Sequence, residues 1–411
     1  MSGVDVRTFD PDQLFSAEMI ADPYPYYHAL QREDPVHWNE RLQIWVLTRY
    51  AEVAPAMRDE RISYHEKMKP FLSKLPEALR LDLDEFERHV STWLGHTDPP
   101  HHTRLRGLIH RAFVPRLMEH MRLHIQTRVN ELIDTVEAEG RGEMDVIWDF
   151  AYPLPASVIA EMLGVPAEDH QLFKHWTDDI VAFMGTARAQ PDDAQRALNG
   201  VRGLSEYVRG VIAEHRQRPR ETLISGLMST DENGGQLSED EIVGVCSGLF
   251  IAGHETTTNL IGNGMLALLR NRDQLEKLRD NPNLINSAVE ELLRYDSPVQ
   301  RSWGVALDDM EIGGKRIRAG ELVLKMLGAA NRDPEQFPDP DTLDIVRADN
   351  RHIAFGYGFH FCLGAPLARI EGQIAINTLL RRLPNIRLAA PDVEWHPNIA
   401  FRGLKSLPVT F

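Results

Sequence analysis

Cysteine is almost missing from this chain of 411 residues, which has two, Cys246 and Cys362. Two thiols so widely separated form no CxxC metal knuckle, no four-cysteine iron–sulfur set and no disulfide framework. Long apolar runs are missing too. None reaches the roughly 18 residues of a membrane-spanning helix, so no span is expected. The opening stretch MSGVDVRTFDPDQLF lacks a basic start followed by an apolar core. No secretory signal is therefore expected, and the location expected is the cytoplasm. Positive charge is in deficit. A formal net charge of −16 argues against general nucleic-acid binding.

What is present is ordinary globular composition, 43% hydrophobic and 26% charged, on a chain long enough for a large core. No repeat or low-complexity linker breaks it, and a single domain over residues 1–411 is expected. DPYPYYHALQRED reads as a helix, and VHWNERLQIWVLT alternates like a hairpin turning at Asn39–Arg41. Residues 100–300 are mostly helical by period. A second β-rich patch lies at 305–326, with Gly313–Gly314 as a turn, matching the first near 36–48. The fold class is mainly α with small sheets. Residues 65–90 and 185–195 read as loops.

LSEDEIVGVCSGLFIAGHETTTNLIGNGMLALLRN has the strongest helix signature. Ser238 with Glu241 forms a capping box. Apolar or small residues recur along one face from Ile242 to Leu260. The middle is poor helix material, because Ala252-Gly253 is followed by His254, Glu255 and three threonines. Glu255 beside Thr256 sets an acid next to a hydroxyl, a pair able to relay protons. The plainer reading is threonines bonded back to carbonyls and a solvated glutamate. Further on, LINSAVEELLRYDSP is a helix ending before Pro298, with Glu291 and Arg294 on one face.

FGYGFHFCLG, residues 355–364, holds Cys362 just before an amphipathic helix that has Pro366 in its first turn. The positive end of that helix favours thiolate. Gly356, Gly358 and Gly364 let the backbone turn sharply and approach a flat ligand, which Phe355 can cover. Such a thiolate suits a nucleophile, with His360 as a conceivable base, or a metal. A single thiolate with no cysteine or histidine cluster suggests an iron whose other ligands come from a macrocycle, as in haem.

The pattern of Phe355, Gly358, His360, Cys362 and Gly364 resembles the haem-thiolate loop of the cytochrome P450 monooxygenases. AGHETT (252–257) is similar to the family's oxygen-activation segment, and Glu291/Arg294 to its ExxR pair, in the family's order. The likeness runs from DPYPYYHALQ to RGLKSLPV and is to the soluble bacterial branch. It implies the cytochrome P450 fold, with haem b between the long helix and the cysteine-loop helix. Cys362 would be the iron ligand, with Phe355 and Gly364 beside it. Ala252 and Gly253 would widen the groove for O2, and Glu255 and Thr256 would hold water and pass protons. Glu291 and Arg294 would be structural, joined by Arg347. His102 and Arg106, in DPPHHTRLRGLIHRAF, and His360 would contact the haem propionates.

The substrate would meet Leu249, Ala252, Val299, Ala400, Phe401 and the loops at 65–90 and 185–195. It would be a small or medium-sized, largely apolar molecule. Electrons would come from an external ferredoxin and its reductase, ultimately from NAD(P)H, with Arg104, Arg111 and Arg369 as a docking patch on a monomer. One departure stands out. Related sequences usually place a propionate-binding arginine where this chain has Gly304, and Arg301 is a substitute within reach along the chain. Three other readings compete: a peroxide-driven peroxygenase, a non-catalytic haem-thiolate sensor or carrier, and a cysteine hydrolase.

Overall fold

The computed structural model describes residues 14, 16–68, 77–113, 115–166, 169–184, 191–220, 222–229, 235–398 and 400–411. Within these, internal packing divides the chain into two compact units. The first comprises Met1–Ile62, Ile125–Leu154 and Glu255–Phe411, and the second Ser63–His124 and Pro155–His254.

The first unit contains the sheets. Strands Val36–Asn39, Ile44–Leu47, Leu322–Lys325 and Ser302–Ala306 lie side by side in that order. The outer pairs are antiparallel and the middle pair, Ile44–Leu47 with Leu322–Lys325, is parallel. Alternation of side chains sends the two faces to different cores. Leu47, Ala306 and Val323 join Val36, Ile62 and Leu327 on one side. Val46 and Leu324, with Trp303 packed alongside, join Tyr27 and Met326 on the other. Met310–Ile312 and Lys315–Ile317 form a hairpin. Its turn is Gly313–Gly314, both at positive φ (55° and 74°), as a tight hairpin turn requires. A third sheet joins Glu143–Asp145, Pro408–Thr410 and Arg387–Leu388.

The second unit is helical. Helix His170–Met184 packs on Pro191–Gln217 at unusually short range, and glycine is the reason. A Cβ on Gly203 would come within 2.4 Å of the Trp176 ring, and one on Gly200 within 2.8 Å of the Trp176 carbonyl. Phe173 stacks on Phe250 with ring centroids 4.2 Å apart. Two loop expectations need correction. Residues 77–90 form the helix Glu77–Val90, whose Leu83, Phe86 and Val90 are buried at helical spacing. Likewise 191–195 open the helix Pro191–Gln217, with Pro191 at its start and Asp192 and Asp193 in its first turn. The remaining loop positions, 69–76 and 185–190, lie outside the described residues.

The long helix runs unbroken from Glu239 to Arg270, 32 residues. Its capping box forms reciprocally. Ser238 N–H donates to Glu241 Oε2 at 2.8 Å, and Glu241 N–H donates to Ser238 Oγ at 3.2 Å. Among the described residues, Val146–Leu163 is long and apolar enough to cross a membrane, but 67% of it is buried within the fold.

Candidate active site

The cysteine loop is shaped by its glycines and one backbone bond. Gly356 and Gly358 both take positive φ, 75° and 79°. A Cβ on Gly358 would lie 2.7 Å from Arg58 Cγ and 3.2 Å from the Met57 carbonyl, so only glycine fits that approach. Gly358–His360 makes a single 3₁₀ turn, closed when Phe361 N–H donates to Gly358 O at 3.1 Å. Cys362 N–H then donates to Phe355 O at 2.9 Å, fixing the phenylalanine beside the cysteine. Gly364 caps the helix Ala365–Arg382, which has Pro366 in its first turn. A Cβ on Gly364 would stand 3.9 Å from Cys362 Sγ, so the sulfur lies against the helix N-terminus. Cys362 is outside any disulfide among the described residues and half-buried. Cys246 differs, because complete burial pushes its pKa up to about 12 and keeps it protonated.

Beside this loop, two adjacent glutamates on helix Ile285–Tyr295 have separate tasks. Glu291 is fully buried. It accepts from Arg294 Nε and NH2 at 2.8 and 2.9 Å and from Arg347 Nε at 3.2 Å. Asp344 N–H and Asn350 Nδ2 also donate to it, at 2.9 and 3.2 Å. Arg294 spends its other donors on the carbonyls of Asn331, Pro340 and Thr342. A buried charge pair with every donor used is the arrangement that tolerates burial. Glu290 instead meets Arg369 through two bonds, Nε at 2.6 Å and NH2 at 2.8 Å, and His352 Nε2 at 3.1 Å. Burial opposes ionisation of Glu290, but the Arg369 and His352 bonds hold its pKa down to about 2.

Away from its two ends, the long helix is least covered in its middle. Ala252 is exposed and Gly253, Glu255 and Thr256 are half-buried, whereas Thr257 to Leu269 are buried throughout. Gly253 admits Ile159, whose Cδ1 would lie 2.5 Å from a Cβ there. The helix does not break at the threonines. Glu255 accepts from Asn259 Nδ2, one turn on, at 3.1 Å. Burial raises the Glu255 pKa, and the Asn259 bond pulls the other way. Asn259 is held in turn by a glycine, since a Cβ on Gly403 would overlap its amide.

Val299 and Phe401 form an isolated antiparallel bridge. Gln300 N–H to Ala400 O (3.0 Å) and Arg402 N–H to Pro298 O (2.8 Å) lock it, so Val299, Ala400 and Phe401 sit together. Leu249, His102 and Arg106 belong to the second unit. Leu249 is half-buried on the long helix. His102 is buried on helix His101–Ala112, and burial together with the charge of Arg106 lowers its pKa to about 4. His360 is half-buried at the end of its 3₁₀ turn.

Two expectations fail on geometry. Arg301 does not share the face of Gly304. Gly304 pairs with Val323 and Trp303 with Leu324, which belong to opposite cores. Arg301 falls on the Trp303 side, near Tyr27, and lines a small cavity with Trp395, Phe401 and Arg402. The docking patch also loses members. Arg104 pairs with Glu241 and Arg369 with Glu290, so neither is a surplus cation. Sequence reasoning missed Asn259, Glu290 and His352. Asn259 was within reach, because it lies one helical turn after Glu255. The partners of Glu290 are far away in sequence and gave no local signal.

The cytochrome P450 family model matches residues 82–385, and the chain is a member of that family. It is 40% identical over 404 residues to the polyketide biosynthesis cytochrome P450 PksS of Bacillus subtilis, covering 96% of each chain. It is also 40% identical to the cytochrome P450 monooxygenase PikC of Streptomyces venezuelae, over 95% of this chain and 92% of that one. Among solved structures, P450BioI in complex with acyl carrier protein ligated to hexadec-9Z-enoic acid superposes with a TM-score of 0.88 at 40% identity. That match covers 96% of this chain and all of the other. The chain is thus a haem-thiolate monooxygenase by class, using O2, a small-molecule substrate and a redox partner.

Proposed function

We propose that this protein inserts one oxygen atom from O2 into a C–H or C=C bond of a small or medium-sized, largely apolar substrate, with electrons from a ferredoxin and its reductase. The observation that carries the reading is the loop Phe355–Gly364. It presents one half-buried thiol against a helix N-terminus and pins it by the Cys362–Phe355 bond. The residues fit haem, since a flat ligand needs close backbone approach, which the left-handed Gly356 and Gly358 permit.

A bound haem would supply the activation of O2, and the Cys362 thiolate would hold its iron. Phe355 would lie beside the sulfur. His102, Arg106 and His360 would receive the haem carboxylates. Glu255, partly buried and held by Asn259, exchanges protons with water, and the Thr256 hydroxyl holds that water in line. Val299, Ala400, Phe401 and Leu249 exclude water around the substrate. Their apolar character, with the polyketide and fatty-acyl names of the relatives, favours an acyl or polyketide chain.

The test is the absorption spectrum of the reduced, carbon-monoxide-bound protein and of its Cys362→His variant. The wild type should give the red-shifted band of thiolate ligation, and the variant should lose it. A variant that keeps the band would remove Cys362 from the site. Product formation is then compared between a surrogate ferredoxin system with NAD(P)H and peroxide alone. Turnover with peroxide only would convert the reading to a peroxygenase.

A further inference from the structure

Glu290, His352 and Arg369 stand outside the roles assigned above, yet all three converge on the cysteine loop. Arg369 lies about one turn along the helix that Cys362 precedes. Its guanidinium carbon is 4.6 Å from the centroid of the Phe355 ring, a cation–π contact. The Phe355 carbonyl is the acceptor for Cys362 N–H. The other side of the guanidinium is occupied by Glu290 in the bidentate pair at 2.6 and 2.8 Å. His352 Nδ1 accepts the Ala354 N–H at 3.2 Å, which leaves Nε2 as the protonated nitrogen that donates to Glu290. The carboxylate therefore has three fixed donors and one orientation. The Glu290 bond is the main cause that raises the Arg369 pKa, and the nearby Cys362 sulfur adds a smaller push in the same direction.

We propose that Glu290 and Arg369 form a counter-ion pair that sets how strongly the Cys362 thiolate donates to the iron. Glu290 offsets the arginine charge and holds the guanidinium on the Phe355 ring, and His352 orients Glu290. These are positioning residues, and they touch neither substrate nor the reacting atoms. The argument is electrostatic. A cation near the thiolate stabilises its negative charge, weakens donation and makes the iron easier to reduce. Its carboxylate partner cancels most of that effect. In a half-buried site the cancellation is incompletely screened by solvent.

The proposal rests on Cys362 as the ligand, so the test separates the two. The reduction potential of the substrate-free holoprotein is measured by dye-coupled titration for variants that retain the thiolate-type carbon-monoxide band. Glu290→Gln leaves the arginine charge uncompensated. It should move the ferric–ferrous equilibrium about tenfold toward the ferrous form, equivalent to ~59 mV for one electron. Arg369→Gln should move it the opposite way, and the double variant should return close to wild type. Glu290→Asp keeps the charge but withdraws it by one methylene, so it should shift in the direction of Glu290→Gln by less. This variant decides the matter should Glu290→Gln give no holoprotein. Single variants that shift in the same direction, or that lower the unfolding midpoint with an unmoved potential, overturn the proposal and leave the pair as a structural staple. Loss of the thiolate band in the wild type would instead remove the reading on which it rests.

Discussion

Asn259 donates its side-chain amide to Glu255 one helical turn away, and that bond opposes the burial which raises the pKa of the carboxyl. The two influences have opposite signs. Burial raises the Glu255 pKa above its ordinary value, and the amide favours the charged form. Asn259→Ala should therefore raise it further. The acid limb of the pH profile for product formed per reductant consumed should therefore move up. A limb that stays in place would show that Glu255 is not the titrating group.

Thr256 precedes a run of buried residues and is itself half-buried, beside Glu255 on the long helix. Thr256→Ala should bind substrate and consume reductant at near wild-type rates. Product should fall on the order of tenfold or more, with hydrogen peroxide released in its place, because the group that orients water for proton transfer is gone. Peroxide and product are measured against NAD(P)H oxidised. An unchanged ratio would sink the assignment.

Glu291 shows how unequal one ion-pair network can be. Arg294 and Glu291 are both fully buried, whereas Arg347 keeps 10% of its side chain exposed and has three carbonyl contacts besides. Removing the buried acid leaves a buried guanidinium uncompensated, at a cost of about 3–5 kcal/mol. Against a total of roughly 5–15 kcal/mol this is a large share. Glu291→Ala should give little or no folded holoprotein, while Arg347→Ala should fold with a lower urea midpoint. Equal midpoints for the two would mean that Arg347, not Arg294, is the main partner of the acid.

The loop glycines and the capping box of the long helix were legible because each is a local pattern whose chemistry follows from spacing, whereas the ExxR pair, which any surface helix can carry, gained meaning only through the family resemblance. Arg347 was reachable only through the family resemblance. Glu290 was not legible, since nothing in VEELLR says that its first glutamate turns toward Arg369 and its second toward Arg347. That choice depends on where helix Ala365–Arg382 docks, which is a long-range result. The helix Glu77–Val90 was missed for a different reason. Prolines and lysines just ahead of it masked the spacing of Leu83, Phe86 and Val90. Arg301 was misplaced because distance along the chain was used where strand alternation decides.

That alternation sharpens the last prediction. Gly304 is buried on strand Ser302–Ala306, opposite Val323, at the position where the family resemblance implies a propionate-binding arginine. With Arg301 committed to the Tyr27 side, it offers no substitute from the same strand face. An arginine placed at 304 enters a buried position, which is costly unless an anion receives it. The sign of the effect is therefore informative. If a haem carboxylate lies there, Gly304→Arg gains a charge-assisted bond and should slow haem transfer to an apo-globin acceptor by on the order of tenfold, since such bonds contribute about 1.5–3 kcal/mol. Arg106→Ala should speed the same transfer. If Gly304→Arg speeds haem loss or prevents folding, no anion faces that strand position. The missing arginine would then mark a place filled by a side chain or by substrate.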